Sequence, residues 1–354
     1  MKIYKDIYRL IIAPENLFAA WNIFKSDKRN KPDVAMFERN IEEHIFKLHR
    51  ELKNKTYRHG PYAGFWIRDP KMRHIHKALV RDRVLHHAIF RILNLIFEPI
   101  FIPTSYSCRI GKGSHKGMKK VAYMLRKESR NNMRPCYALK CDIRKFFDSV
   151  DHDILFRMLE EKIKDKDTLW LLGEVIESFL LERTGDQPTL FTRRKGLPIG
   201  NLTSQLFANI YMNKFDHFIK HQLKVKYYAR YTDDFVVVSS DRNYLVGLLE
   251  PIQEYLAKYL ALQLHPKKVS IRKYQQGIDF LGYVVLRHHI SLRTKTRRRM
   301  FRKLKERVRA HKSGLISEEA LLGSLRSYLG VLSHATADQL RRELLNKFWF
   351  WVKE

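Results

Sequence analysis

The sequence predicts an α+β fold, on three observations. Over the first 57 residues, apolar side chains recur at helical spacing, as at Phe37, Ile41, Ile45, Leu48 and Leu52. From residue 136, strand-like and helix-like segments alternate. After about 290 the composition turns to a dense run of cations that leads into a small helical unit.

The totals narrow the class. A chain of 354 residues with 45% hydrophobic and 12% aromatic residues can bury a core without covalent staples, so it is globular. Lysines and arginines number 68 against 37 acids, a net charge of +31. Self-repulsion of that size favours a polyanionic partner, and nucleic acid is the expected one. Cys108, Cys136 and Cys141 are an odd number without CxxC spacing, which suggests neither a disulfide framework nor a zinc site and fits a reducing cytoplasm. The N-terminus lacks the pattern of a signal peptide. The longest greasy run, "ILNLIFEPIFI", is interrupted by Glu98 and Pro99 and is too short to span a bilayer, so no membrane association is expected. Pairs such as His74 with His76, or His86 with His87, read as ordinary positions on a basic surface.

Each element follows from its local pattern. "HGPYAGF" breaks the N-terminal helices, and "WIRDPKMRHIHKAL" gives short β pieces around the turn signal Asp69-Pro70. "RDRVLHHAIFRILNLIF" is an apolar helix, and "SYSCRIGKGSHKG" is a glycine and lysine loop opening another helix near Met118. "CYALKCDIRKFF" reads as a strand, with helices at "HDILFRMLEEKI" and "LWLLGEVIESFLL". "TSQLFANIYMNKFDHFIKHQL" reads as a helix with Thr203 or Ser204 suited to its N-cap. "YARYTDDFVVVSS" gives two strands, followed by a helix around 243 to 261 and a β-rich piece, "GIDFLGYVVL". Residues 293 to 312 hold eleven lysines and arginines against one acid, Glu306. That density of arginine favours phosphate contact over a merely solvated face, with Arg297, Arg298, Arg299, Arg302 and Lys303 as candidate nucleic-acid ligands.

Three acids stand where the pattern asks for apolar residues. Asp233 and Asp234 sit between two buried-looking strands, and Asp142 follows the apolar "YAL" and precedes Phe146 and Phe147. A lone Asp-Asp between strands is usually a solvated turn; a third acid in the same setting changes the balance. Carboxylates brought together repel one another unless a cation sits among them. Oxygen ligands without His or Cys select a hard ion, hence Mg²⁺. Two such ions, roughly 4 Å apart, activate an attacking hydroxyl and stabilise a leaving pyrophosphate, the chemistry that joins nucleotides. Between the acids lies "KGLPIGNLTSQLFANIYMN", whose Gly200 permits a close backbone approach to a ligand.

In that order, these blocks resemble the reverse transcriptases over about 57 to 354: "KMRHIHKALVRDRVLHHAI" is similar to the fingers segment, "LKCDIRKFFDSVDH" to the first catalytic strand, "LPIGNLTSQLFANIYMN" to the nucleotide-pocket helix and "YTDD" to the catalytic turn. "LQLHPKKVSI" and "FLGYVV" resemble later palm blocks, and "SYLGVLSHA" a part of the thumb. The resemblance implies a right-hand polymerase fold: N-terminal helices and fingers over 1–134, a palm with an antiparallel sheet over 135–289 into which part of the fingers, roughly 150–195, is inserted, and a basic helical thumb over 290–354. It further implies that Asp142 and Asp233 bridge two Mg²⁺ ions with Asp234 assisting, and that Ile143 belongs to the metal site. Arg73 and Lys71 would hold the incoming triphosphate, Phe147 would exclude a 2′-hydroxyl, and Lys268 would sit near the departing pyrophosphate. Ile199, Gly200 and Gln205 would line the nucleotide pocket, and Phe280, Leu281, Gly282 and Tyr283 would grip the primer.

One departure is informative. Most of the family reads QGxxxSP in the pocket helix; this chain reads IGNLTSQ, similar to the reverse transcriptases of diversity-generating retroelements, which copy a template RNA with frequent errors opposite adenine. An aliphatic chain at 199 in place of an amide removes a hydrogen-bonding group from the pocket, so mismatches are rejected less strongly; Ile199 as mere packing is the other reading. The implied partners are template RNA, the cDNA primer strand, deoxynucleoside triphosphates and a small basic accessory protein, with oligomerisation left open, in a bacterial or phage-encoded cytoplasmic setting. The alternatives are a group II intron or retron enzyme and a catalytically idle RNA-binding protein of the same fold. Intron proteins commonly continue into DNA-binding and endonuclease segments, whereas this sequence ends at Glu354, which favours the retroelement reading.

Overall fold

The computed structural model describes residues 2–69, 71–184 and 194–354. Pro70 of the Asp69-Pro70 turn, and 185–193 of the stretch assigned to the fingers insertion, lie outside the described residues. The chain divides into two compact units, one from Met1–Arg109, Asp142–Lys224 and Glu250–Lys267, the other from Ile110–Cys141, Val225–Leu249 and Lys268–Glu354.

The first unit is mainly helical. Pro14 and Pro32 open helices at the position where a missing N–H costs nothing, and Glu15 and Asp33 in their first turns oppose the positive end of the helix dipole. Ile45, Leu48 and Leu52, three of the five periodic residues, are fully buried on the helix Ile41–Lys53. The helix Val80–Phe97 turns Val84, Leu85, Ala88, Ile89 and Leu93 inward and packs against the helix Pro14–Lys25. Against the same long helix lies Leu202–His217, buried on nearly all sides, as expected of a helix that is apolar around its circumference. Strands β1 (Ala63–Ile67) and β2 (Arg73–Lys77) form an antiparallel hairpin with Phe65 opposite Ile75 and Trp66 opposite His74.

The second unit holds a four-stranded sheet. Strands β3 (Tyr137–Asp142), β4 (Tyr227–Tyr231), β5 (Asp234–Ser239) and β6 (Ser270–Lys273) are ordered β4-β5-β3-β6. Central β5 buries Phe235, Val236, Val237 and Val238 in succession, the pattern of a strand covered on both faces. The helix Ser114–Glu128 packs across β4 and β5. A second sheet of β7 (Ile278–Phe280), β8 (Tyr283–Val285) and β9 (Ile290–Leu292) follows. The chain then forms three mutually packed helices, Thr294–Lys312, Glu318–Leu332 and Asp338–Lys353, around Met300, Leu304, Val308, Leu325, Leu344 and Phe348.

Where one helix is expected around 243 to 261 there are two, Arg242–Gly247 and Leu249–Leu260. Pro251 accounts for the restart, because proline is tolerated in a first turn and not in a helix interior. Among the described residues no helix is long and apolar enough to cross a membrane.

Candidate functional site

In the first unit, three separated segments meet at the loop that enters the helix Leu202–His217. The backbone N–H of His76 in β2 donates to the carbonyl of Ile199 at 3.1 Å, and the Asn201 amide donates back to the carbonyl of His76 at 3.0 Å. Gly200 between them has φ +116°, and a Cβ built there would lie 2.9 Å from Ile75 Cγ2. Only glycine fits both the backbone angle and the approach. Since alternate residues of a strand share a face, Arg73 lies on the same face of β2 as Ile75, the face turned toward Gly200. The third segment is the turn after β3: the N–H of Leu197 donates to the carbonyl of Phe147 at 2.8 Å, and that of Gly196 to Val150 at 2.8 Å. The loop is thereby laced on one side to the strand bearing Arg73 and on the other to the turn bearing Phe147. Ile199 and Gln205 are partly exposed, as is Phe147, while Lys71 and Arg73 are exposed at the hairpin tip.

The expected N-cap is corrected. Thr203 and Ser204 lie inside the first turn, buried, and the N-cap position belongs to Asn201, whose side chain makes no capping bond. Its amide nitrogen holds the β2 carbonyl instead, a long-range bond in place of the local one.

In the second unit, Tyr231 pairs with Asp234 across β4 and β5, which leaves a two-residue loop of Thr232 and Asp233. Thr232 has φ +55° and Asp233 is not among the positive-φ residues. Tight hairpins of that kind prefer glycine at the first loop position, and a β-branched residue held there costs on the order of 1–3 kcal/mol. Asp233 and Asp234 are partly exposed at this tip. Asp142, which belongs to the first unit, is 6% exposed at the end of β3, and its carbonyl accepts from the N–H of His265 of the same unit at 2.7 Å. Ile143, just beyond it, bridges to Leu264 and is buried. Burial pushes the Cys141 thiol up to about 12, with the Asp234 carboxylate adding to the shift. Cys141 and Asp234 both belong to the second unit, so this coupling lies within one sheet. Among the described residues no group of three or more His, Cys, Asp or Glu side chains is assembled as a metal site, so fitness for a hard ion rests on the all-oxygen donor chemistry of these acids.

The "FLGY" segment forms the β7–β8 turn, with Leu281 and Gly282 both at positive φ, 52° and 89°. The Tyr283 hydroxyl donates to the carbonyl of Val331 at 3.0 Å, which ties β8 to the "SYLGVLSHA" helix. Lys268 lies in the bend before β6, partly exposed. Along the helix Thr294–Lys312, Arg297 pairs with Glu343 at 2.7 Å, and Arg302 and Lys303 pair with Glu306 at 3.7 and 3.3 Å. Arg298 is exposed and Arg299 partly so. Sequence reasoning missed Asn201 as the clasp on β2, and it passed over Arg230, an arginine in an apolar strand that turns out to be fully buried.

Residues 67–285 match the family model described as reverse transcriptase (RNA-dependent DNA polymerase). The group II intron-encoded protein LtrA of Lactococcus lactis subsp. cremoris is 27% identical over 232 residues, 64% of this chain and 37% of LtrA; protein YkfC of Escherichia coli K12 is 24% identical over 79% of this chain and 83% of YkfC. The chain thus spans little more than a third of LtrA. Among solved structures, an apo telomerase from Candida tropicalis truncated from the C-terminal domain matches 69% of this chain and 58% of that one, at 13% identity and a TM-score of 0.47. The family match covers more than half of the chain, including β2 and all four strands of the β4-β5-β3-β6 sheet, and it bears out the right-hand polymerase fold. By that match, the chain belongs to the reverse transcriptase (RNA-dependent DNA polymerase) family.

Proposed function

We propose that this chain is an RNA-templated DNA polymerase that makes error-prone cDNA for a diversity-generating retroelement. The observation that carries the reading is the docking of the Ile199-Gly200-Asn201 loop on β2, which sets the IGNLTSQ segment beside the strand that begins with Arg73. In this reading 1–134 supplies the fingers, 135–289 the palm and 290–354 the thumb. Asp142 and Asp233 would hold two Mg²⁺ ions, with Asp234 and Ile143 completing the site. Such ions, when bound, supply activation of the primer hydroxyl and neutralisation of the departing pyrophosphate.

The remaining work is done by side chains. Arg73 and Lys71 bind the triphosphate, with the guanidinium matching two phosphate oxygens at once. Phe147 lies under the sugar and excludes a 2′-hydroxyl, which selects deoxynucleotides. Ile199 lines the pocket with an aliphatic chain where a glutamine amide would read base geometry, and Gly200 and Gln205 complete the wall. Lys268 neutralises pyrophosphate, Phe280 to Tyr283 hold the primer end, and Arg297, Arg298, Arg299, Arg302 and Lys303 hold the backbone of the duplex. Template RNA, the cDNA primer strand and deoxynucleotides are the substrates, and a small basic accessory protein is the expected partner in a bacterial cytoplasm.

Likeness to LtrA favours a second reading, a group II intron enzyme. Flanking DNA with a template and variable repeat pair differing at adenines supports the first reading; a structured intron RNA around the gene supports the second. For polymerase activity itself the decisive variant is Asp233→Asn. It is expected to abolish primer extension and leave RNA binding largely intact; retained synthesis would exclude the metal site, whereas a wild-type chain that binds RNA and extends no primer would be the idle RNA-binding fold.

A further inference from the structure

Arg230 is fully buried, one of the largest side chains in the chain with no exposure, on β4 opposite Phe235. Around it Tyr228, Ala229, Phe235, Val236 and Val237 are equally buried. A guanidinium in such surroundings is costly unless its donors are matched, and a methionine or leucine would fill the same volume without that cost. Simple packing therefore does not account for an arginine here. One of its donors goes to the hairpin tip: Nη1 lies 3.0 Å from the carbonyl oxygen of Thr232.

Thr232 is the residue with φ +55° in the two-residue loop. Its carbonyl orientation depends on that angle, because a return to the ordinary negative-φ region rotates the adjoining peptide planes. The bond from Arg230 is thus made in the strained conformer and opposes relaxation out of it. A bond with an ionised donor in a dry site is among the strong ones. We infer that Arg230 is a positioning residue, which holds Thr232 in the left-handed conformation and thereby fixes where the tip presents Asp233 and Asp234. This rests on the reading of those carboxylates as metal ligands, and it extends that reading to a residue that touches neither metal nor substrate.

The arrangement has a specific signature. Glycine adopts positive φ without strain, so a chain with glycine at 232 needs no restraint from Arg230. The test is a double-mutant cycle of Arg230→Lys with Thr232→Gly, read in two ways on the full chain. The first reading is hydrogen exchange of the amides at 231–235 in metal-free protein; the second is the Mg²⁺ concentration for half-maximal primer extension, taken apart from KM for the deoxynucleotide. Arg230→Lys is expected to speed exchange at the tip and to raise the half-saturating Mg²⁺ about tenfold while KM stays within about twofold, since an unrestrained loop leaves its strained conformer for a preferred one. In the Thr232→Gly background the same substitution is expected to change either reading by less than about threefold. Arg230→Gln, which keeps an amide donor without charge, is carried alongside so that a failure of the lysine variant to fold leaves a cycle to read. Phe235→Leu trims the core beside Arg230 without touching the loop, and Thr232→Gly should not relieve its defect.

Wild-type exchange and Mg²⁺ dependence in the Arg230 variants would overturn the inference. So would an Arg230 defect equally large in the Thr232→Gly background, because the guanidinium would then serve the core alone. Should Asp233→Asn retain synthesis, the metal reading fails by itself, and the exchange cycle still decides whether Arg230 holds the turn.

Discussion

Replacing Gly200 by alanine does two separable things to the loop that enters the helix Leu202–His217. A Cβ at φ +116° occupies a region that L-residues rarely adopt, at a cost on the order of 1–3 kcal/mol. The same Cβ would stand 2.9 Å from Ile75 Cγ2, closer than such atoms approach. That methyl branches directly from the Ile75 Cβ and is stiff at χ1, so relief comes from moving the loop off β2 and not from turning the side chain. Together the two effects amount to about 2–3 kcal/mol against the docked loop, which predicts a loss of roughly 30-fold or more in kcat/KM for the incoming deoxynucleotide. Single-nucleotide incorporation on a primed RNA template measures this, with the melting temperature recorded beside it. Adding Ile75→Ala removes the contact and leaves the backbone strain, so the double variant recovers part of the loss and no more. Gly200→Ala with wild-type kcat/KM would refute the assignment of this loop to the nucleotide pocket.

Ile199→Gln restores an amide at the position that separates IGNLTSQ from the commoner motif, and it is expected to lower misincorporation opposite template adenine. Sequencing the cDNA checks this, and an unchanged error spectrum counts against the role. Burial, with the charges of Lys28 and Arg83, lowers the His87 imidazole to about 4, and burial lowers fully buried His86 as well. The unfolded chain then binds more protons than the folded one between about pH 6.5 and 4, so this stability is complete above the ordinary histidine range and is lost as the pH falls. By pH 5 the His87 share is at most about 2 kcal/mol, and His87→Gln should flatten the fall in unfolding free energy between pH 7 and 5; a wild-type profile already flat over that window refutes it.

The strands around the acidic tip were legible because aromatic and β-branched residues run up to Asp233-Asp234 from both sides, and β1 and β2 because Asp69-Pro70 punctuates them. Gly200 stood out for the same local reason. Asn201 did not: its amide serves the carbonyl of His76, 125 positions away, and local capping rules pointed to Thr203 or Ser204 instead. Arg230 was visible as an arginine in an apolar strand, yet strand alternation gives such a residue a solvent face by default, and only the packed sheet buries it. The left-handed Thr232 carries no sequence signal, since threonine is not the residue that a tight hairpin prefers; only the pairing of Tyr231 with Asp234 reveals the two-residue loop in which it sits.

The basic helix bears on the partner in a similar way. Thr294–Lys312 turns Met300, Leu304 and Val308 inward, which leaves its cations along the outer faces. Arg297, Arg302 and Lys303, proposed to meet nucleic acid, are paired with Glu343 or Glu306, and both partners of each pair are substantially exposed. Exposed pairs of this kind are worth about 0–1 kcal/mol, so they present little obstacle to an incoming phosphate. A duplex backbone offers several phosphates at once, and each cation transferred to it releases condensed counterions. Under the proposed function, Glu343 and Glu306 would give up these cations to the phosphates at little cost. At the β4–β5 tip the proposed restraint is of another kind, a bond to the Thr232 carbonyl from an arginine buried within the sheet.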